Sequence, residues 1–194
     1  MAAARDAGFL LIDDPLYDIR ALDAAAHALK ARGMRAEAFR RDGARPLYDA
    51  LQRAYQCVRR DGAVSGIIAQ GAGCDCALAL ACQLPSDRLV LVEPMRWRDD
   101  GPVGRQLKRI RAFARQNAAF CVADALIIPG PHTDDRLLKR LARDLGGAVT
   151  RLRPAEEMWS NGKEVLNLGI FQFLRDGVWP KSLAEKSEMC IIYG

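Results

Sequence analysis

Ser65-Gly-Ile-Ile-Ala-Gln-Gly71-Ala-Gly73-Cys-Asp-Cys-Ala-Leu-Ala-Leu-Ala81 is the stretch that decides how the rest of the chain is read. A short β-prone run at 67–69 meets a glycine-rich turn and passes directly into an alanine- and leucine-rich helical segment. A strand that turns sharply into a helix needs small residues at the apex, because side chains there collide with both elements. Ala69, Gly71, Ala72 and Gly73 meet that need.

Outward from this turn, strand and helix patterns alternate. Residues 8–12 are continuously apolar, as in a strand buried on both faces, and Asp13-Asp14-Pro15 ends it. A helix is expected over about 19–31, with Leu22, Ala25 or Ala26, and Leu29 on one stripe and Gly33 as its stop. A strand at 34–39 follows, then a helix opened by Pro46 and running to about 60, with Leu47, Leu51, Ala54 and Val58 facing inward. Beyond the central turn and its helix, to about 83, come strands at 88–93, 124–130 and 147–152. The helices between and after them are a basic one with Val103, Leu107, Ile110 and Ala114 at helical spacing, one at 134–145, and one at about 163–174. This alternation predicts an α/β fold in three layers, with a mainly parallel sheet of about six strands. The chain, 1–194, suits a single domain, with 178–194 as a C-terminal extension.

The segment Ala69-Gln70-Gly71-Ala72-Gly73, followed by Ala77-Leu78-Ala79-Leu80-Ala81, resembles the nucleophile elbow of the α/β-hydrolase superfamily. That family writes small-x-Ser-x-Gly and then an alanine–leucine helix. The resemblance runs from about Gly8 to Leu174 and implies a trimmed hydrolase fold without the first strands or a large lid. It departs at the apex, where Gly71 stands in place of the serine and offers no nucleophile.

The resemblance implies three further positions, each on a loop after a strand. After the first strand, where the family places an oxyanion-hole loop, this chain has Asp13-Asp14-Pro15. Two carboxylates there would repel a developing oxyanion, and the proline removes a backbone donor. The plainer reading of the aspartates is a turn and a helix N-cap. After the fifth strand, Gly130-Pro-His132-Thr-Asp134-Asp135 resembles the loop of the catalytic acid, which would survive as Asp134 or Asp135. Here the plainer reading is a cap on the next helix, from Thr133 or Asp134. After the last strand, Met158 falls where the histidine would be, next to Trp159, and methionine moves no proton. Asp13, Asp14, Gly71, Ala72, His132, Met158 and Trp159 are then expected to line the inherited pocket.

Could a thiol serve instead? Cys74 lies on the first turn of the helix after the apex, where a thiol can become reactive, and His132 could act as its base. Placing Cys74 at the apex, however, puts Asp75 and Cys76 where small residues are needed. Cys74 and Cys76 diverge by about 200° on a helix, so with Cys82 they make a poor metal site, and small packing residues are the simpler reading. The sequence signals no cofactor.

Composition narrows the remaining classes. Half the residues are apolar, enough for a substantial core. No apolar run approaches the ~20 residues of a membrane span, and no signal peptide is recognisable, so six reduced cysteines in a cytoplasmic protein are expected. The formal charge of +5 is local: residues 96–115 hold seven basic and two acidic residues. Such a stretch could steer an anionic partner, but it lacks the aromatic interleaving or reader motif of a nucleic-acid surface. A solvated helix face, or a small basic lid, is the simpler expectation.

Together these features predict a hydrolase-like protein that has lost serine catalysis and acts by binding a small molecule or a protein partner. One alternative is an active hydrolase or acyl-transfer enzyme on esters or thioesters, using Cys74 with His132 and Asp134 or Asp135. Another is an anion- or nucleic-acid-binding module using the 96–115 stretch.

Overall fold

Gly8–Ile12 (β1) lies inside the sheet, and Phe9, Leu10, Leu11 and Ile12 are buried. The computed structural model describes residues 7–17, 22–41, 45–117, 122–130, 133–145, 148–154, 169–170, 172–174 and 187–193. Six further strands join β1: Arg35–Phe39 (β2), Gly66–Gln70 (β3), Ser86–Val92 (β4), Val122–Ile128 (β5), Ala148–Pro154 (β6) and Ser187–Tyr193 (β7). They pair in the order β2-β1-β3-β4-β5-β6-β7. Five parallel pairings connect β1 through β6, and β7 adds antiparallel to β6. The sheet thus exceeds the expected six strands by one. The added strand comes from within 178–194, the segment read from sequence as an extension.

The helices are Asp23–Ala31 (α1), Leu47–Val58 (α2), Gly73–Ala81 (α3), Pro102–Gln116 (α4) and Asp135–Leu145 (α5). The chain reverses its direction of progress across the sheet once, after β2. Right-handed crossovers then put α1 on one face and the later helices on the other. Alternate strand residues sort accordingly. Phe9, Leu11, Ile68, Val90 and Leu126 pack with Leu22, Ala26 and Leu29 of the α1 region and with Ile170 and Phe173. Leu10, Ile12, Ile67, Leu89 and Ile127 pack on the other face with α2, α3, α4 and α5. Both faces being covered explains why the strands read as unbroken apolar runs. Each fully buried leucine among them contributes roughly 1.5–3 kcal/mol.

Several boundaries differ from the sequence reading. Helix α1 begins at Asp23, not near residue 19, and residues 18–21 are outside the described set. Gly33, at φ +78°, turns the chain after it. In α2 the inward stripe is Leu47, Leu51, Tyr55 and Val58, with Ala54 only half-buried. Tyr55 is completely buried because its hydroxyl donates to the Pro85 carbonyl at 2.6 Å. A phenol can enter a core when its O–H finds such a partner. Of the helix expected at 163–174, residues 169–170 and 172–174 are helical, and the rest lies outside the described residues.

Candidate functional site

In an open parallel sheet, loops at the carboxyl ends of the strands form a crevice where neighbouring connections leave in opposite directions. Here that point lies between β1 and β3, since β1 feeds α1 on one face and β3 feeds α3 on the other. The loop after β1 carries Asp13 and Asp14, and the turn after β3 carries Gly71 and Ala72.

Gly71 has φ +57°, a left-handed conformation that glycine adopts at little cost, and its N–H donates to the Val92 carbonyl at 3.1 Å. Ala72 N–H donates to Asp14 Oδ2 at 2.9 Å. The other oxygen, Oδ1, accepts the Leu16 N–H at 2.9 Å, so Asp14 closes a local turn and reaches across to the β3–α3 turn. Asp14 is buried at 6% exposure. A Cβ on residue 71 would lie 3.0 Å from Asp14 Cγ and closer still to Oδ2. The carboxylate therefore occupies the space that any side chain at position 71 would need. Gly73 is constrained similarly: a Cβ there would stand 2.8 Å from the Ile12 carbonyl oxygen, so α3 starts hard against the end of β1.

Comparison with protein-family models, with curated proteins and with solved structures found no match to this chain.

Asp13 turns the other way, its Oδ1 accepting the Leu22 N–H at 3.1 Å just ahead of α1. The structure thus brings Asp14, Gly71 and Ala72 into contact, with Asp13 on the same loop directed toward α1. His132, Met158 and Trp159, expected to complete the crevice, lie outside the described residues. The other histidine, His27, is exposed on α1, and Ser65 and Ser86 lie at the amino ends of β3 and β4, away from the crevice.

Asp134 precedes α5 and accepts the Arg136 and Leu137 N–H groups on Oδ1 at 2.7 and 3.0 Å. Its Oδ2 meets Arg96 at 2.9 Å. The Leu137 hydrogen bond above all, with the Arg136 N–H and the Arg96 charge assisting, holds this carboxyl below its ordinary value. Asp135 is the exposed first residue of α5.

Cys74 points into the protein. Its thiol donates to the Ala69 and Val92 carbonyls at 3.5 and 3.6 Å, and it is 4% exposed. Burial, with Asp75 and Asp14 adding to it, pushes the Cys74 thiol well above its ordinary value. The same causes act on Cys76. Among the described residues, Cys57, Cys74, Cys76 and Cys82 are free thiols, and no three His, Cys, Asp or Glu side chains converge as a metal site.

Glu93, just after β4, was missed as a site residue. It takes φ +49°, which costs a non-glycine residue about 1–3 kcal/mol. Its N–H donates to the Ile128 carbonyl at 2.7 Å, and its Oε2 accepts the Gln70 amide at 3.3 Å. The available signal was position alone: a carboxylate directly following an apolar strand at the sheet's carboxyl edge.

The basic segment divides its charges. Arg111 bonds Asp75 Oδ2 through Nε and an NH₂ group at 2.9 and 2.7 Å and lies 4.3 Å over the Trp97 ring. Trp97 donates to the same carboxylate oxygen at 2.7 Å. Lys108 pairs with Asp100, and Arg105 donates to the Asp100 carbonyl at 2.6 Å. Much of this charge ties α4 to its own surroundings.

Proposed function

We propose that this chain is a degenerate α/β-hydrolase-like protein that acts by binding rather than by hydrolysis. The observation that carries the reading is the Asp14 carboxylate held against the Gly71–Ala72 turn. In an α/β hydrolase the amide following the nucleophile stabilises the oxyanion. The corresponding Ala72 N–H already serves a buried internal anion. An acyl substrate would have to displace Asp14, leaving that carboxylate without its partner and bringing negative charge beside negative charge. Losing one oxyanion donor alone costs about 10²–10³ in turnover.

The cysteine alternative is disfavoured by the direction and protonation of Cys74. A thiol held protonated by burial is a poor nucleophile at neutral pH. The anion-binding alternative through 96–115 is weakened by the internal partners of Arg96, Lys108 and Arg111. With the crevice filled from within, a protein partner fits better than a small molecule seated above Gly71.

The test is a panel of p-nitrophenyl esters and acyl thioesters offered to the purified protein and to Cys74→Ala. We expect both proteins to match the buffer blank. Turnover that disappears in Cys74→Ala would establish the thiol enzyme and refute the binding reading.

A further inference from the structure

Helices α4 and α5 cover the same face of the sheet and share its core, through Leu107, Ile110 and Ala114 of the first and Leu137, Leu138 and Leu141 of the second. Beside that core their seam opens into a notch of about 20 Å³ whose charged lining is Asp75, Arg111, Arg115, Arg140 and Asp144. Arg111 and Arg115 are one turn apart on α4, and Arg140 and Asp144 one turn apart on α5, so each helix turns a short stripe of charge toward the seam. The space admits roughly one or two water-sized atoms, far too little for a ring or an amino-acid side chain.

Three of these five charges already have partners. Arg111 is committed to Asp75, whose Oδ2 it holds at 2.7 and 2.9 Å, and to the Trp97 ring beneath it. Asp75 is committed in turn, since the same oxygen also accepts the Trp97 N–H. Asp144 meets Arg143 at 3.4 Å. The side chains of Arg115 and Arg140 make no hydrogen bond or ion pair with any described residue.

These two guanidinium groups oppose each other. Arg140 is half-buried and Arg115 exposed at the mouth. Burial first, and the Arg115 charge after it, hold the Arg140 guanidinium below its ordinary value, while Asp144 and Asp75 attract it only from beyond ion-pair distance. Two like charges converging on one small opening are unfavourable in the free protein, and an anion seated between them would relieve both.

We propose that Arg115 and Arg140 form a site for a phosphoryl dianion, that of inorganic phosphate or a small phosphate monoester, with one oxygen in the notch and the rest of the group toward solvent. Two unmet positive charges match a dianion better than a carboxylate, and each planar guanidinium offers paired N–H donors to phosphoryl oxygens. Asp144 on the same rim repels an incoming anion, so both arginines are needed to hold one. A phosphodiester brings one charge and a substituent on either side, so a nucleic-acid backbone suits neither the charge nor the opening. Of the basic segment, Arg96, Lys108 and Arg111 have internal partners, and the site draws on Arg115, which has none among the described residues. None of these residues belongs to the Gly71 turn, and the site stands whether or not the chain is kin to hydrolases.

The test titrates inorganic phosphate and methyl phosphate into the full, nitrogen-15-labelled chain at about pH 8, where both are largely dianions, and at constant ionic strength. Backbone and arginine side-chain resonances are followed. We expect saturable binding tighter than about 10 mM, and about fivefold or more tighter than that of acetate or dimethyl phosphate. Arg115→Gln should weaken it by about fivefold or more, and Arg140→Lys, which keeps the charge but loses the fork, should weaken it severalfold. Arg109→Gln, exposed and about 200° around α4 from Arg111, should change nothing. In phosphate-free buffer Arg115→Gln should melt no lower than the parent, because it removes a like charge, and added phosphate should raise the parent's midpoint and not the variant's. Methyl phosphate binding as well as inorganic phosphate assigns the site to a phosphorylated small molecule, and binding of inorganic phosphate alone assigns it to the free ion. Four results overturn the proposal. These are no binding tighter than about 10 mM, acetate binding as tightly, an equal loss in Arg109→Gln, and a lower melt for Arg115→Gln in phosphate-free buffer, which would reveal an internal partner. An oligonucleotide without terminal phosphates that binds more tightly with the same residue dependence would assign the seam to nucleic acid and overturn it as well. An active esterase with phosphate binding intact would refute the binding reading and leave this one standing.

Discussion

At position 71 a glycine is required twice over, by its left-handed φ and by the carboxylate beside it. Gly71→Ser should therefore destabilise the protein by about 1–3 kcal/mol and still yield no esterase, as denaturant melts and ester assays would register. Asp14→Ala removes the partner of a buried N–H and should also cost about 1–3 kcal/mol. In Asp14→Ala the space beside residue 71 opens, so adding Gly71→Ser should cost less than it does in the parent. Fully additive losses would contradict the geometry. The small residues at 69–73 announced the turn from sequence, because few other residues fit it. The filling of that space by Asp14 was not legible: Asp14 and Ala72, whose N–H it accepts, are 58 positions apart, and local patterns carry no information on such contacts.

Among the elements, α5 has its first turn capped by Asp134. Asp134 accepts two first-turn N–H groups, so Asp134→Ala should lower the thermal midpoint while Asp134→Asn largely preserves it. The folded carboxyl lies below its ordinary value, so its contribution is present above the unfolded value of about 3.9. That contribution is lost as pH falls through the folded value, and the Ala variant and parent should converge in acid melts. Helix α3 behaves oppositely at high pH. Its Cys74 and Cys76 thiols are raised by burial, so their contribution holds below about 8.5 and declines as pH rises toward the folded values. A thiol reagent at neutral pH should label exposed Cys57 rapidly, and Cys74 and Cys76 only on unfolding. Rapid labelling of Cys74 in the folded protein would revive the thiol mechanism. Helical periodicity identified the apolar stripes of these elements well. It chose Ala54 over Tyr55 in α2 because a hydroxyl's distant carbonyl partner is invisible to periodicity.

For the whole molecule, strand–helix alternation was sufficient to anticipate a parallel sheet covered on both faces. It could not anticipate β7, which pairs antiparallel with β6. A chain ending at residue 186 would lack all seven register pairs between these strands. We expect it to melt at lower temperature and to aggregate, with amide exchange rising first along β6; unchanged exchange there would contradict the pairing. Only β1 is flanked by its two successors, and from β4 onward every strand joins the outer side of its predecessor. A ribosome delivering this polypeptide can thus extend a growing ribbon in one direction, laying each new strand where the last one left off. The newest rim is open to pairing until its successor emerges, and during that interval a chaperone has most reason to attend the nascent protein.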